Sequence, residues 1–264
     1  MKMYVLGTAN GNYHEQCYNT CFCLQNNNQI LLVDGGGGNQ ILGRLVRVGV
    51  KLSDIHDIFI SHSHPDHIIG IVWVLKKISS AIRKGKYQGD CRVYANSKTI
   101  STIKTIRDLV FNPNNILDQI KFLIVQEGEV RKICDMSVEF FDTQASKEKQ
   151  FGLIINNQHF VFCGDEPLHK INFPKVNHCD WFFHNAFCLD CDAEKYQVHK
   201  LCHSTVGEAA QTAQQIHANN LILCHTETDT LATRKDNYTH NARQYYHGNI
   251  FVPDDLEIIN LDKK

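Results

Sequence analysis

Residues 61–70 read Ser-His-Ser-His-Pro-Asp-His-Ile-Ile-Gly and follow directly on the apolar run Ile58-Phe59-Ile60. His62, His64, Asp66 and His67 therefore fall close together at what reads as a strand end. Imidazole and carboxylate are donor types that zinc, manganese and iron accept, and a sharp turn converges such side chains without burying unpaired charge. Four potential ligands in so short a span need partners from elsewhere in the chain, so the fold has to carry other segments to the same place. A polar surface loop is the bland alternative. It accounts for single histidines in loops but not for this ordered spacing.

The segment His62-x-His64-x-Asp66-His67 resembles the signature of the metallo-β-lactamase superfamily. That resemblance implies further ligands downstream, each at the end of a strand. Asp165 follows the run Phe160-Val161-Phe162-Cys163, and His225 follows Leu221-Ile222-Leu223-Cys224. Asp34 follows Leu31-Leu32-Val33 and opens the run Gly35 to Gly38; its superfamily counterpart orients a metal-binding histidine. Leu6-Gly7-Thr8, Asp34 through Gln40, His184-Asn185-Ala186-Phe187, His203-Ser204-Thr205 and His225 are similar, in order and spacing, to the ribonuclease Z-like branch. The matching segments run from residue 4 to residue 225.

The resemblance implies an α/β (α+β) fold, a four-layer αβ/βα sandwich of two mixed β-sheets packed face to face with helices outside. Residues 1–264 are expected to fill it as a single domain. His62 and His64 are the implied ligands of one metal position, Asp66, His67 and His225 those of a second, with Asp165 bridging the two. The implied cofactor is one or two zinc ions, with manganese or iron as alternatives. Paired ions activate water and stabilise both oxygens of a displacement, so the expected activity is metal-dependent hydrolysis of a phosphodiester. Asp66 is a catalytic candidate that takes a proton from the attacking water, and His203 is a candidate acid or oxyanion donor. A helix cap is the alternative for His203, and His184 reads as a loop support.

Three departures from the branch pattern bear on the substrate. Past the expected strand Val138–Asp142 the chain reads Thr143-Gln144-Ala145-Ser146, where another ligand histidine belongs. Gln144 is the best placement for it, and glutamine is a poor zinc ligand, so the position built on His62 and His64 is expected to be weakened. Asn185 stands where the branch has a glutamate against the histidine matching His203; asparagine orients an imidazole but stabilises its cation less. The long Gly/Pro-rich arm with which ribonuclease Z grips transfer RNA is absent. Its place holds Lys76, Lys77, Arg83, Lys84, Lys86 and Arg92 against Asp90 alone. That stretch reads as a solvated helix face and loop, with a phosphate backbone as the alternative partner. The substrate stays open between RNA 3′ ends and a smaller phosphoester. A lactone or thioester hydrolase, or a degenerate member that binds without turnover, is the alternative reading.

Lys and Arg number 27 against 28 Asp and Glu, a net charge of −1. This is no general nucleic-acid-binding balance, and any RNA contact has to be local. The longest apolar run, Ile68 to Leu75, is far short of the roughly twenty residues that cross a bilayer. Met1-Lys2-Met3 leads into no signal-type core. A cytoplasmic chain with no membrane partner is expected, and a homodimer is expected only from the family resemblance. The cysteines number 11, an odd count, and several, such as Cys163 and Cys224, sit inside apolar runs as small hydrophobes. Cys188-x-x-Cys191 with His199 and Cys202 has the ligand types of a structural zinc, at looser spacing than a standard ribbon; reduced loop cysteines are the simpler reading.

Hydrophobic patterning places early strands near 3–6, 20–24, 30–33 and 57–61, and helices at 39–48, 66–77 and 97–110. A second strand set is expected at 121–125, 138–142, 151–156, 159–163 and 181–184. Thr205 with Glu208 forms a capping box that starts a helix after His203. A helix from Arg234 to Tyr246 and a closing strand from Leu256 to Leu261 follow, and no internal repeat is visible.

Overall fold

A strand that is apolar without interruption has to be covered on both faces, and the run Ile30-Leu31-Leu32-Val33 shows how this chain achieves it. In the computed structural model, which describes residues 1–12, 14–111 and 118–262, Leu31 and Val33 enter one core while Ile30 and Leu32 enter another. The same alternation places Phe22 and Leu24 on the inner side and Cys21 and Cys23 on the outer.

The strands are, in chain order, β1 (Lys2–Gly7), β2 (Cys21–Asn26), β3 (Gln29–Val33), β4 (Ile55–Phe59), β5 (Cys91–Ala95) and β6 (Ile120–Ile124) in the first half. The second half supplies β7 (Glu129–Ile133), β8 (Met136–Asp142), β9 (Phe151–Ile155), β10 (Phe160–Phe162), β11 (Trp181–Asn185), β12 (Asn220–Cys224), β13 (Asn249–Phe251) and β14 (Ile258–Asn260). They form two sheets, in the orders β14-β1-β2-β3-β4-β5-β6 and β13-β12-β11-β10-β9-β8-β7. Each half begins with antiparallel pairs and ends with parallel ones, β3 through β6 and β10 through β13. The halves are thus alike in topology although their sequences show no repeat. The chain closes by returning β14 to the first sheet beside β1.

Parallel neighbours need crossover connections, and these supply the outer layers. Helices α1 (Gln40–Arg47), α2 (Pro65–Arg83) and α3 (Ser97–Val110) cover the first sheet through Ile41, Leu45, Ile71, Leu75 and Ile103. Of α4 (Phe173–Val176), α5 (Ala193–Tyr196), α6 (Val206–Gln215) and α7 (Leu231–Arg243), α4, α6 and α7 cover the second sheet through Val176, Ala209, Ala213 and Tyr238. Between the sheets Phe22 stacks on Phe183, 4.9 Å between ring centroids, and meets Phe160 and Phe162 edge-on at 5.9 and 5.3 Å. This is the expected four-layer sandwich.

Three strands were not anticipated from the pattern, and each has a reason. β7 and β13 are edge strands, half exposed and partly polar, so they lack an apolar signal. β5 carries Arg92 in its middle, whose Nε and Nη2 donate to Asp57 at 2.6 and 2.7 Å. Arg92 therefore leaves the basic stretch, while Lys76, Lys77, Arg83, Lys84 and Lys86 are exposed on the end of α2 and the turn beyond it. α2 runs past the expected residue 77 because Ile78 and Ser79 continue its buried face. α7 is shifted three residues towards the N-terminus, and β14 keeps only the middle of the expected closing strand. Among the described residues no helix is long and apolar enough to cross a membrane.

Candidate metal centre

Four strands stop where the polar cluster begins: β3 before Asp34, β4 before His62, β10 before Asp165 and β12 before His225. After β4 the chain stays extended through His64, at φ −63° and ψ 148°, and then enters α2 with Pro65 in its first turn. Proline suits that position because its fixed φ matches the helix and its missing N–H has no partner to lose. Asp66 thereby lies in the first turn of α2, where the helix dipole favours a carboxylate. The turn after β3 is pressed against α2. A Cβ on Gly70 would stand 1.8 Å from the Gly35 carbonyl oxygen, and the Gly35 and Gly70 N–H groups donate to His67 O and Gly36 O, both at 2.8 Å. Only glycine allows that approach, and the approach places Asp34 beside His67.

His67 Nδ1 is 2.9 Å from Asp34 Oδ2, and its Nε2 is 2.8 Å from Asp165 Oδ2 and 3.4 Å from Asp66 Oδ2. His225 Nδ1 lies 3.3 Å from Asp165 Oδ1. His62 Nε2 lies 2.9 Å from His64 Nδ1 and 3.6 Å from Asp165 Oδ2. One donor atom from each of Asp66, His67, Asp165 and His225 falls within 4.8 Å of the others, and the same holds for His62, His64 and Asp165. The structure thus brings all six residues together in two groups that share Asp165. Asp34 also accepts the Ser61 N–H and Oγ–H, each at 2.8 Å, and Ser61 Oγ is 2.9 Å from His62 Nδ1. Asp34 and His225 hold φ of 56° and 59°, a left-handed backbone that non-glycine residues adopt rarely and that concentrates at functional sites.

The charges of the cluster are strongly coupled. Burial opposes a cation on His67, but Asp165, Asp66 and Asp34 outweigh it and raise its pKa well above the ordinary histidine range. Burial and the His67 charge push His62 well below that range, and burial brings His225 down to about 4. Burial works against the Asp165 anion, yet the surrounding histidines, His225 first, hold its pKa well below normal. His225 Nδ1 is buried with no hydrogen-bond partner, a state that buried polar atoms rarely keep. An inward-facing imidazole nitrogen without a proton partner, beside further imidazoles and carboxylates, is the donor chemistry of a divalent cation. The residues present fit such an ion.

His203 reaches the same place from the loop before α6. Its Nδ1 is 2.8 Å from the Asp165 carbonyl oxygen and 3.0 Å from Asn185 Nδ2. Asn185 Oδ1 accepts the Ser204 N–H at 3.0 Å, which turns the amide nitrogen towards His203. The Asp165 carbonyl is then the acceptor that orients the ring, a task a glutamate at 185 would share. The His203 ring packs 5.1 Å from the Phe187 ring and 5.1 Å from that of His225. The cap of α6 is Thr205, in a capping box with Glu208, so His203 has no part in capping. His184 is buried: it accepts the Leu168 N–H at Nε2, 3.1 Å, and donates from Nδ1 to Asn185 O, 2.7 Å.

The loop after β8 differs from expectation. Gln144 is exposed at φ 60°, with its N–H donated to Asp142 Oδ1 at 2.8 Å. Ser146 gives its N–H and Oγ–H to Glu166 Oε2 at 2.7 and 2.9 Å. Two buried side chains of this loop turn towards the cluster: Glu148, with Oε2 3.6 Å from His64 Nε2, and Gln150, whose Oε1 accepts the Asp165 N–H at 3.2 Å. Glu148 escaped sequence reading because a carboxylate between two lysines looks like solvated surface; the missing histidine of that loop was the available signal. The cysteine-rich segment does not assemble a zinc site. Cys188 is buried and Cys191 exposed, His199 faces Glu208 at 2.7 Å, and among the described residues no metal-ligating cluster includes them.

A family model described as "Anti-Pycsar protein Apyc1" matches residues 1–246. The chain belongs to that family. It is 25% identical to the ribonuclease Z of Nitrosopumilus maritimus, over 98% of this chain and 99% of that protein. The metallo-β-lactamase fold protein YhfI from Bacillus subtilis superposes with a TM-score of 0.80 at 18% identity, covering 98% of each chain. The short form of human tRNase Z superposes with a TM-score of 0.74 at 18% identity, covering 99% of each chain. The metallo-β-lactamase superfamily and its ribonuclease Z-like branch are therefore the setting of this Apyc1-family chain, as the sequence resemblance implied.

Proposed function

We propose that the protein is a metal-dependent phosphodiesterase acting on a small nucleotide phosphodiester, with zinc as its ion. The observation that carries this reading is the pair of donor groups sharing Asp165, with His203 held against the same residue. His62, His64 and Asp165 would hold one ion, and Asp66, His67, His225 and Asp165 the other. Bound there, such ions supply Lewis acidity towards a phosphoryl oxygen and lower the pKa of water. Asp66 accepts a proton at its carboxylate, and Asp34 holds His67 with Nε2 turned inward. His203, oriented through Nδ1 by the Asp165 carbonyl, presents Nε2 to the leaving oxygen, where its cation donates a proton or stabilises charge.

A small substrate is favoured over transfer RNA because the stretch after Lys76 carries no Gly/Pro-rich arm and Arg92 is committed to Asp57. A role against Pycsar, in the words of the family's description, belongs to the same proposal. The test combines metal analysis of the purified protein with a screen of bis(p-nitrophenyl) phosphate, cyclic mononucleotides, a lactone and precursor transfer RNA. Metal-dependent turnover of the small phosphodiesters is expected. Lactone turnover alone assigns a different hydrolase, and bound metal without turnover of any substrate assigns a degenerate binder.

A further inference from the structure

The first metal position, as proposed above, draws no histidine from the loop after β8, so its hold on an ion depends on His62, His64 and Asp165. His62 and His67 are fully enclosed by packing, whereas the His64 side chain is 42% exposed. It is the imidazole least constrained by its surroundings. To serve as a ligand through Nδ1, the atom that faces His62 Nε2 at 2.9 Å, it must carry its proton on Nε2. Each neighbouring ring has an outer partner for this purpose: Asp34 for His67 and Ser61 for His62. For His64 the group facing Nε2 is the carboxylate of Glu148, at 3.6 Å.

Glu148 is held in place from several directions. Its Oε1 accepts the Ser63 N–H at 3.2 Å and the Ser63 hydroxyl, and Lys98 Nζ of α3 is 3.4 Å away. The loop that carries it is fastened by Asn96 Nδ2 donating to Lys149 O at 2.9 Å and by Ser146 donating to Glu166. At 3.6 Å, longer than a hydrogen bond, this carboxylate acts on His64 through its charge: it favours an N–H at the nitrogen it faces and so biases the ring towards the tautomer with a free Nδ1.

We propose that Glu148 is a positioning residue for the first metal position, acting through His64. The inference rests on the metal-centre reading and not on the choice of substrate. Glu148→Gln is the informative variant. Its carbonyl oxygen can still accept from Ser63, so a purely structural role survives, but its NH2 would face His64 Nε2 and favour the proton on Nδ1.

The experiment is calorimetric titration of zinc into metal-free wild type and Glu148→Gln, with long-range nitrogen–proton NMR of labelled histidines to read which His64 nitrogen is protonated. Outer-partner changes of this kind typically weaken metal binding by about 10- to 100-fold. A loss of that size is expected at one position only, with the other unchanged and the His64 proton moved from Nε2 to Nδ1. In a His64→Ala background the same substitution should have no further effect. Unchanged affinities with an unmoved proton overturn the role of Glu148, as does a wild type whose His62 and His64 position stays empty at millimolar zinc. A wild type that takes up no zinc at either position overturns the metal-centre reading instead.

Discussion

Asp34 Oδ2 lies 2.9 Å from His67 Nδ1, and that contact decides which nitrogen of His67 faces Asp165. A carboxylate there accepts the Nδ1 proton and leaves Nε2 free to ligate. Asp34→Asn keeps the shape but can offer an N–H to Nδ1, which favours the tautomer that cannot ligate. Zinc affinity at the position of Asp66, His67 and His225 should fall by about 10- to 100-fold, read by calorimetry. Equal affinity in variant and wild type would show that Asp34 only supports the turn.

Asp165 is common to both donor groups, whereas His225 belongs to one. Asp165→Ala should therefore lower zinc at both positions, and His225→Ala should remove one ion and leave the other. Elemental analysis after dialysis separates the two outcomes. Equal stoichiometries would mean that Asp165 does not bridge.

His203→Ala should leave metal content intact and lower turnover of a phosphodiester by roughly 10²- to 10⁴-fold, the usual range for an acid or oxyanion donor acting in the transition state. Steady-state rates with saturating metal provide the measurement. An unchanged rate returns His203 to a structural place beside Phe187.

Gly70→Ala puts a methyl group 1.8 Å from the Gly35 carbonyl oxygen, a backbone atom that cannot swing aside. The two segments must separate, at a cost of about 1–3 kcal/mol. Chemical denaturation should show that loss, and zinc affinity at the His67 position should fall with it because Asp34 moves. Full stability would mean the turn has slack.

His184 carries a pH prediction. Burial lowers its pKa from 6.5 to about 4, and both ring nitrogens are committed as a neutral imidazole, one accepting from Leu168 and one donating to Asn185. Above pH 6.5 the ring is neutral folded or unfolded and adds no pH dependence. As pH falls from 6.5 towards 4 the unfolded chain binds a proton that the folded one refuses, so stability declines, by up to about 3 kcal/mol over the window. His184→Gln can still accept from Leu168 and should flatten that slope. Urea unfolding of the metal-free proteins between pH 4.5 and 7.5 measures it, and parallel slopes would remove His184 from the acid response.

Much of this architecture was legible because the signals are local. The apolar run Ile30 to Val33 marks a strand, Thr205 and Glu208 mark a helix start, and His62 through His67 lie within a few residues of one another. Asp165 and His225 could be picked out because each follows an apolar strand in the order that the family resemblance implies. The strand-end side chains could thus be read from the apolar runs before them, whereas the layered fold followed from the family resemblance those residues carry.

Tertiary structure decided what no local pattern encodes. Edge strands β7 and β13 are recognisable only through their pairing, since half of each faces solvent. Arg92 looked like part of a basic surface until β5 set it against Asp57. Glu148 looked like a surface charge among lysines until the loop after β8 turned it onto Ser63 and His64. The ligand types of Cys188, Cys191, His199 and Cys202 left a zinc site open beside the simpler reading of reduced cysteines, and the chain buries Cys188 while leaving Cys191 in solvent. For Arg92 and Glu148 the reason is the same: a charged side chain takes its meaning from the partner it meets, and Asp57, Ser63 and His64 lie far along the chain and are brought near only by folding.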